Sequence, residues 1–417
     1  MNFKRLLKKV TPKFLLGWYH YCLAFLGALA YGFPSRKLII IGVTGTSGKT
    51  TTVDFITRIL EEAGYKVAST SSIRFKVAEK EWKNEMKMSM GGRFKNQKFL
   101  RQAADVGCTH VVLEVTSEGI RQFRHKFINF DTAVFTNLSP EHLESHGGME
   151  HYRNEKLKLF KATKNVHIIN ADDEHAKYFL EIPAKKIITF GKNQPRVSLQ
   201  LLGEFNQMNA TAAMAVAQYY GVSPETAKKA LEKVKSIPGR MEIVSRPEDG
   251  ARLASPSGEV AQNPLVIVDY AHTPEQLEQV YASLLPKKLV CVLGSCGGGR
   301  DKWKRPVLGK IAAQYCREII ITNEDPYDED PLEIMEQVAE GVGAALQGEP
   351  RPDGRENSYH IVLDRKEAIK KALELATPED AVIITGKGAE PLMCLADGKK
   401  IPWDDRQIVR SLLSGKM

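Results

Sequence analysis

The sequence predicts an α/β protein of two successive units, the first built on a mostly parallel sheet, with a short Pro-Gly linker between them. Three observations predict it. An apolar run, Lys37-Leu-Ile-Ile-Ile-Gly42, is followed by a glycine loop and then by Val53-Asp-Phe-Ile-Thr-Arg-Ile-Leu60, whose Val53, Ile56 and Leu60 fall on one helical face. Strand-like and helix-like stretches then alternate as far as about Ile237. The alternation resumes beyond Ser236-Ile-Pro-Gly-Arg240, a segment with the Pro-Gly signature of a linker.

The glycine loop is Val43-Thr-Gly-Thr-Ser-Gly-Lys-Thr-Thr-Thr52. Between a strand and a helix, such a loop curls its backbone N–H groups around a phosphate at the positive end of the helix. Lys49 then reaches the outer phosphates and the Thr50 hydroxyl is placed for Mg2+. Gly45, Thr46, Ser47, Gly48, Lys49, Thr50 and Thr51 are therefore the expected ATP cradle. The usual pattern has a further glycine five residues before the Gly-Lys pair; this chain has Val43 there.

In chain order, the N-terminus comes first. Lys4, Arg5, Lys8, Lys9 and Lys13 precede an apolar stretch, Phe14 to Phe33, of about the length a membrane span needs. Trp18, Tyr19, His20 and Tyr21 interrupt it, and a full span with its basic flank in the cytoplasm would export the loop domain to a compartment without ATP. A helix lying in the membrane interface or packed on the protein itself fits better, and the residues leave both open. Candidate strands follow at Leu38–Val43, His110–Val115, Thr132–Thr136, Val166–Asn170 and Ile187–Phe190, with a helix from Asn206 to Tyr220. The second unit offers strands at Leu265–Tyr270, Leu289–Gly294, Glu318–Thr322 and Ala381–Thr385. Its helices are expected at Pro274–Leu285, Pro306–Tyr315, Leu332–Ala345 and Arg365–Ala376, with a surface loop at Gly348–Gly354. The expected domains are 1–36, a basic and apolar helical segment; 37–237, the ATP-binding domain; and 238–417, a Rossmann-like α/β domain.

The 417 residues, 43% hydrophobic, are ample for buried cores. Fifty-nine Lys and Arg against 50 Asp and Glu leave a formal charge of +9, but the basic clusters are short, so nucleic acid is not required. An anionic, phosphate-bearing substrate accounts for the excess equally well. Six cysteines show neither a CxxC pair nor His/Cys metal spacing and read as reduced thiols. Cys296, in a glycine-rich loop without an evident base, reads as a small loop residue.

Chemistry gathers at strand ends, where open α/β sheets place ligands. Glu114 closes Val111-Val-Leu-Glu114 and could hold Mg2+. The next strand end carries Thr136-Asn-Leu-Ser-Pro-Glu-His-Leu-Glu-Ser-His-Gly-Gly148, which packs His142, Glu144 and His146 into one loop before a helix with Glu155, Lys156 and Lys158. Singly, each histidine reads as structural. Together, beside a phosphate loop, they suggest metal-assisted phosphoryl transfer.

These segments, taken with Gly239-Arg-Met-Glu242, Asp269-Tyr-Ala-His-Thr-Pro274, Gly297-Gly-Gly-Arg-Asp-Lys302 and Gly386-Lys-Gly388, resemble the Mur ligase family. The resemblance is collinear from about Lys37 to the end and is nearest the MurE branch, which adds the third amino acid to UDP-N-acetylmuramoyl-dipeptide. It implies a central ATPase domain, a Rossmann-like C-terminal domain, and a cytoplasmic ligase of peptidoglycan synthesis that forms an acyl phosphate from ATP before the amine attacks. It also implies that Lys49 neutralises phosphates, that Thr50 and Glu114 hold one Mg2+ and His142 a second, and that Lys156 carries a CO2 adduct as a further metal ligand. Asn209, Arg240, Asp269 and His272 match ATP-side positions, and Ser117 and Arg124 match substrate-side positions.

Departures from the family pattern fall on the substrate side. Relatives in this branch begin with a UDP-binding domain, and only thirty-odd residues precede the ATP domain here, so that domain is expected to be missing. Ser89-Met-Gly91 stands where the family has Thr-Thr-Pro, and Glu118 and Ala389 stand where it has histidines. The Asp-Asn-Pro-Arg motif that selects meso-diaminopimelate reads Glu324-Asp325-Pro-Tyr327, which removes the arginine clamp on a second carboxylate. With Asp325, Tyr327, Gly386 and Glu390 at the amino-acid side, lysine, ornithine or another amino acid is expected instead. The acceptor could be a truncated, different or lipid-linked precursor. A polyglutamate-type ligase, an amidating relative and a non-catalytic ATP-binding scaffold are the rival readings. The expected partners are small molecules, with peripheral membrane contact at the inner face through the N-terminal segment and a monomeric or weakly oligomeric state.

Overall fold

In the computed structural model, which describes residues 13–86, 88–249, 263–346 and 358–414, the apolar runs become the centres of two sheets. The first has eight strands: β1 (Ile39–Thr44), β2 (Val67–Thr70), β3 (Arg74–Val77), β4 (Lys80–Lys83), β5 (His110–Glu114), β6 (Phe130–Phe135), β7 (Val166–Asn170) and β8 (Lys186–Phe190). Their order is β4-β3-β2-β5-β1-β6-β7-β8. Six strands run parallel from β2 to β8, and β3 and β4 add an antiparallel edge. The central strands β1 and β5 are buried along nearly their whole length, as continuous apolar runs require when helices cover both faces.

The second sheet comprises β9 (Glu242–Ser245), β10 (Leu265–Val268), β11 (Leu289–Leu293), β12 (Cys316–Thr322), β13 (Ser358–Val362) and β14 (Ala381–Ile384), ordered β13-β12-β11-β14-β10-β9. Only β9 is antiparallel. Side chains alternate across it with the period of a strand. Ile267, Leu293, Ile319, Ile321 and Ile383 pack in one core, and Val266, Val268, Val292, Ile320 and Ile384 pack in the other. A small hairpin, β15 (Leu392–Cys394) and β16 (Lys400–Pro402), follows.

Two compact units result. The first draws on Met1–Leu138, Met149–Ser198 and Gln207–Lys233; the second on Ser139–Gly148, Leu199–Asn206 and Val234–Met417. The loop carrying His142 therefore folds with the second unit, although it lies inside the first in sequence. The Gly348–Gly354 loop and the basic residues Lys4 to Lys9 fall outside the described residues.

The N-terminal helix, Lys13–Ala30, packs one face on the first unit: Ala24 and Ala28 are buried, and Tyr21 and Phe25 meet the Phe127 ring at 5.1 and 5.4 Å. Among the described residues no helix is long and apolar enough to cross a membrane.

The cysteines depart from expectation. Cys291 and Cys316 form a disulfide between the neighbouring strands β11 and β12. Parallel pairing brings their Cα atoms to 6.0 Å, within the span a disulfide bridges. Sequence spacing of 25 residues gave no sign of this, because only the strand order makes them neighbours.

The second unit also buries an ion pair. Arg365 donates to Asp405 through Nε and Nη2 at 2.9 and 2.8 Å and to the Thr385 carbonyl at 2.8 Å, tying the helix Arg365–Leu375 to the C-terminal helix Asp405–Leu413. With both partners out of water, the remaining donors must be satisfied for the pair to hold.

In the first unit, burial pushes the His125 imidazole down to about 3, with nearby Lys126 and Lys158 adding to the shift. Its Nδ1 is buried without a hydrogen-bond partner. In the unfolded chain the ring titrates near about 6.5. Between those values the unfolded state binds more protons, so native stability falls as pH falls, by about 2 kcal/mol at pH 5 for this group alone. We expect His125→Gln to lose correspondingly less stability than the parent between pH 7.5 and pH 5 in urea unfolding. Equal losses in the two proteins would assign the acid sensitivity elsewhere.

Candidate functional site

The loop after β1 turns because two glycines permit it. Gly45 has φ +157, and a Cβ there would strike the Thr136 hydroxyl; Gly48 has φ +76, and a Cβ there would strike the Asn209 amide oxygen. Gly48 is the N-cap of the helix Lys49–Glu62, so the loop delivers its N–H groups to a helix N-terminus. The end of β6 braces it. Thr46 N–H donates to the Asn137 carbonyl at 2.9 Å, Ser47 N–H and Oγ donate to Asn137 Oδ1 at 2.8 and 3.1 Å, and Thr136 Oγ1 donates to the Ser47 carbonyl at 2.8 Å.

Five sequence-predicted residues meet at this loop. Lys49 Nζ donates to the Gly45 and Thr46 carbonyls at 3.0 and 2.7 Å. Thr50 Oγ1 donates to Glu114 Oε2 at 2.8 Å, and Glu114 sits at the end of β5 as the strand-end argument placed it. Lys156, only 1% exposed, donates to the Gly45 carbonyl at 2.7 Å and lies 4.4 Å over the Tyr152 ring. Asn209 accepts from Thr52 Oγ1 at 3.4 Å. A helix residue 157 positions away in sequence thus reaches the start of the loop helix.

Ser72 completes the acid's surroundings: its N–H donates to Glu114 Oε2 at 2.9 Å and its hydroxyl is 2.8 Å from Thr50 Oγ1. Sequence reasoning missed it because β2, four residues with a polar half, gives no clear strand signal. Ser72 nevertheless lies just past the end of β2, as Glu114 lies at the end of β5. Tyr152, whose hydroxyl is 3.2 Å from Thr46 Oγ1, was missed as well.

Among the described residues no three His, Cys, Asp or Glu side chains are grouped to hold a metal. The oxygen set of Thr50, Ser72 and Glu114 nevertheless suits Mg2+, a hard cation that takes one or two protein ligands and completes its shell with phosphate oxygens and water.

Of the two residues expected to face the substrate, Ser117 is buried at the start of the helix Ser117–Arg121. Arg124 donates to the Met90 carbonyl at 2.5 Å and to Gln122 Oε1 at 2.8 Å, which sets it beside the Ser89-Met-Gly91 segment.

The second unit assembles its own set at the carboxyl ends of β10, β12 and β14. Asp269, just beyond β10, accepts N–H bonds from Met241 and Ala271 at 2.7 and 2.6 Å; burial raises its pKa, and the neighbouring Arg240 opposes that rise. Arg240 stacks 4.4 Å over the Tyr270 ring. Gly239, at φ +62, lies so close to Gly388 and Ala389 that any side chain would collide with their backbone.

His272 bonds Glu141 at 2.8 Å through Nε2, and Glu141 lies 3.5 Å from His142 Nε2. Asp301 accepts from the N–H groups of Leu143 and Glu144 at 3.2 and 2.9 Å, and Lys302 N–H donates to Glu144 at 2.7 Å. The Gly-Gly-Gly-Arg-Asp-Lys segment therefore fixes the histidine loop, a role that its sequence did not reveal. His142 itself has φ +57.

Beyond β12 and β14, Lys387, fully buried, bridges Asp325 at 3.0 Å and Glu390 at 2.9 Å, and Tyr270 donates to Glu390 at 3.2 Å. Gly386 has φ +103 and leaves no room for a Cβ beside Glu324. Tyr327, at φ +53, ties back to the Cys394 carbonyl at 3.2 Å. Cys296 does have a carboxylate partner, against the expectation of none: its thiol donates to Glu324 Oε1 at 2.7 Å. Burial and that carboxylate push the thiol far up, the reverse of nucleophile activation. Glu324 Oε2 is buried without a hydrogen-bond partner.

Comparison with known proteins places this arrangement. The Mur ligase middle domain matches residues 43–197, and the Mur ligase glutamate ligase domain matches residues 239–388. A UDP-N-acetylmuramoyl-L-alanyl-D-glutamate–2,6-diaminopimelate ligase of Syntrophomonas wolfei is 35% identical, over 95% of this chain and 82% of its own length. A UDP-N-acetylmuramyl-tripeptide synthetase of Roseiflexus is 33% identical, over 94% and 82%. Among solved structures, a diaminopimelate ligase of the same description superposes with TM-score 0.55 at 28% identity, covering 91% of this chain and 79% of its own. A Mycobacterium tuberculosis folylpolyglutamate synthase shares the fold at TM-score 0.66 and 17% identity, covering 88% and 91%. Two tandem domain matches and a third of all residues identical across nearly the whole length leave one conclusion: the chain belongs to the Mur ligase family.

Proposed function

We propose that this Mur ligase joins an amino acid to a UDP-N-acetylmuramoyl-dipeptide of peptidoglycan synthesis, in an ATP-dependent reaction that passes through an acyl phosphate. The observation that carries the reading is the cluster at the loop after β1, where Lys49, Thr50, Glu114 and buried Lys156 meet. A non-catalytic scaffold has no need of an acid, a hydroxyl and a buried lysine around one phosphate loop. Relatives named as muramoyl-peptide ligases, aligned across nearly the whole chain, support the substrate class.

In this reading a carboxylate oxygen of the acceptor attacks the γ-phosphorus of ATP as the bond to the β–γ bridging oxygen breaks. The amine nitrogen then attacks the carbonyl carbon of the acyl phosphate, the C–O bond breaks to release free phosphate, and the nitrogen loses a proton as the amide forms. Lys49 draws in the charge of the transferring phosphoryl group. Thr50 and Glu114, with Ser72, would hold Mg2+, which when bound would neutralise the phosphate oxygens. His142 is proposed as ligand to a second ion, its loop held by Asp301 and by the Glu141–His272 pair. Lys156 is proposed as a carbamate, formed when its ammonium gives up one proton and the resulting amine adds to CO2 with loss of a second; this would turn a buried cation into a carboxylate-like ligand. Asn209, Arg240, Asp269 and His272 are proposed to contact ATP, and Ser117 and Arg124 the acceptor.

The incoming amino acid is proposed to carry an amine rather than a second carboxylate on its side chain. Tyr327 replaces the clamping arginine, and Glu324, Asp325 and Glu390 make the surroundings of Lys387 acidic. The test is phosphate release from ATP with purified protein, UDP-N-acetylmuramoyl-dipeptide and a panel of single amino acids. Release should require the dipeptide and be strongest with lysine or ornithine. Best turnover with diaminopimelate would overturn the amino-acid assignment, and release independent of the dipeptide would overturn the ligase reading.

A further inference from the structure

Among the described side chains, the outward face of the helix Lys13–Ala30 carries no charge. Leu15, Trp18, Tyr19, Cys22, Leu26 and Leu29 follow one another at helical spacing, and all are exposed, Trp18 by 68% and Leu29 by 55%. The opposite face, with Ala24 and Ala28, is the one that packs on the protein. A surface helix ordinarily turns a polar side to water; this one turns a largely apolar side outward.

Charge supplies the second observation. The first 53 residues contain no Asp or Glu, while Lys4, Arg5, Lys8, Lys9, Lys13, Arg36 and Lys37 flank the helix at both ends. A helix of 18 residues, about 27 Å long, with an apolar face, aromatic side chains and basic ends suits the boundary between headgroups and acyl chains of an anionic bilayer. The absence of any described helix fit to span a membrane agrees with a helix lying in the plane.

We infer that this helix docks the enzyme on an anionic lipid surface. The inner face would couple that surface to the substrate side of the first unit. Tyr21 meets Phe123 at 6.2 Å and Phe127 at 5.1 Å, and these rings flank Arg124 in the chain. Docking therefore holds the Arg124 segment near the bilayer, whatever amino acid the enzyme adds.

The test is co-sedimentation of the full-length protein with phosphatidylcholine vesicles, with and without phosphatidylglycerol, at low and high salt. Binding should require phosphatidylglycerol and weaken with salt, and a Trp18→Glu/Leu26→Glu variant should bind about tenfold less while turning over soluble substrates as the parent does. A second variant with Lys4, Arg5, Lys8 and Lys9 changed to Gln, which leaves the helix face intact, should lose the phosphatidylglycerol dependence. Equal binding to neutral vesicles would overturn the proposal, as would unchanged binding by the Trp18→Glu/Leu26→Glu variant. Absence of vesicle binding would also overturn it; if accompanied by a dimer in sedimentation velocity that this variant abolishes, it would assign the face to a second copy of the chain.

Discussion

Lys49→Ala should abolish most turnover while leaving the protein folded. The ammonium hydrogen-bonds the carbonyls of Gly45 and Thr46, at the loop where the proposed reaction would place the transferring phosphoryl charge. Removing one pre-positioned donor to a developing anion costs about 10²- to 10³-fold in kcat. Stability should move little, because the Gly45 carbonyl keeps its bond from Lys156 and the loop is braced separately by Thr136 and Asn137. Steady-state phosphate release beside a urea unfolding curve checks both halves. Near-parental turnover would revive the scaffold reading.

Lys156→Ala is expected to be the second large loss, about 10- to 10²-fold, the scale on which metal-site partners act. The side chain is inside the protein against Tyr152 and the Gly45 carbonyl. Two explanations of that burial make opposite forecasts. As a carbamate, its activity should fall when the buffer is freed of CO2 and return on adding bicarbonate, and small carboxylic acids should partly rescue Lys156→Ala. As a structural ammonium, it should ignore bicarbonate, and its loss should appear as lost stability. Carbon-13 NMR with labelled bicarbonate would show the adduct directly.

Much of this was legible before any coordinates, and the pattern of what was not is physical. The apolar runs of β1, β5, β7 and β11 are long, continuous and bounded by turn residues, so hydrophobicity alone finds them. The edge strands β4 and β13 and the neighbouring β3 are short and half exposed, and β2, though buried, is short and half polar, so their pairing is written in the sheet rather than in local sequence. Within the site, Lys49, Thr50 and Glu114 announce themselves because each sits at a strand end or loop that the chemistry needs. Ser72, Asp301 and the Lys387–Asp325 bond do not, since their roles arise from partners 22 to 158 residues away. The Cys291–Cys316 disulfide is hidden for the same reason.

The central claim is that ATP is spent on a carboxylate, and isotope transfer addresses it. UDP-N-acetylmuramoyl-dipeptide labelled with oxygen-18 in its terminal carboxylate would be turned over with ATP and the preferred amino acid, and the released phosphate analysed by mass. Attack of that carboxylate on the γ-phosphorus, followed by amine attack on carbon, predicts one labelled oxygen in each phosphate and one left in the amide product. Unlabelled phosphate, with all label kept in the acceptor, would mean that water takes the phosphoryl group and would contradict the acyl-phosphate account.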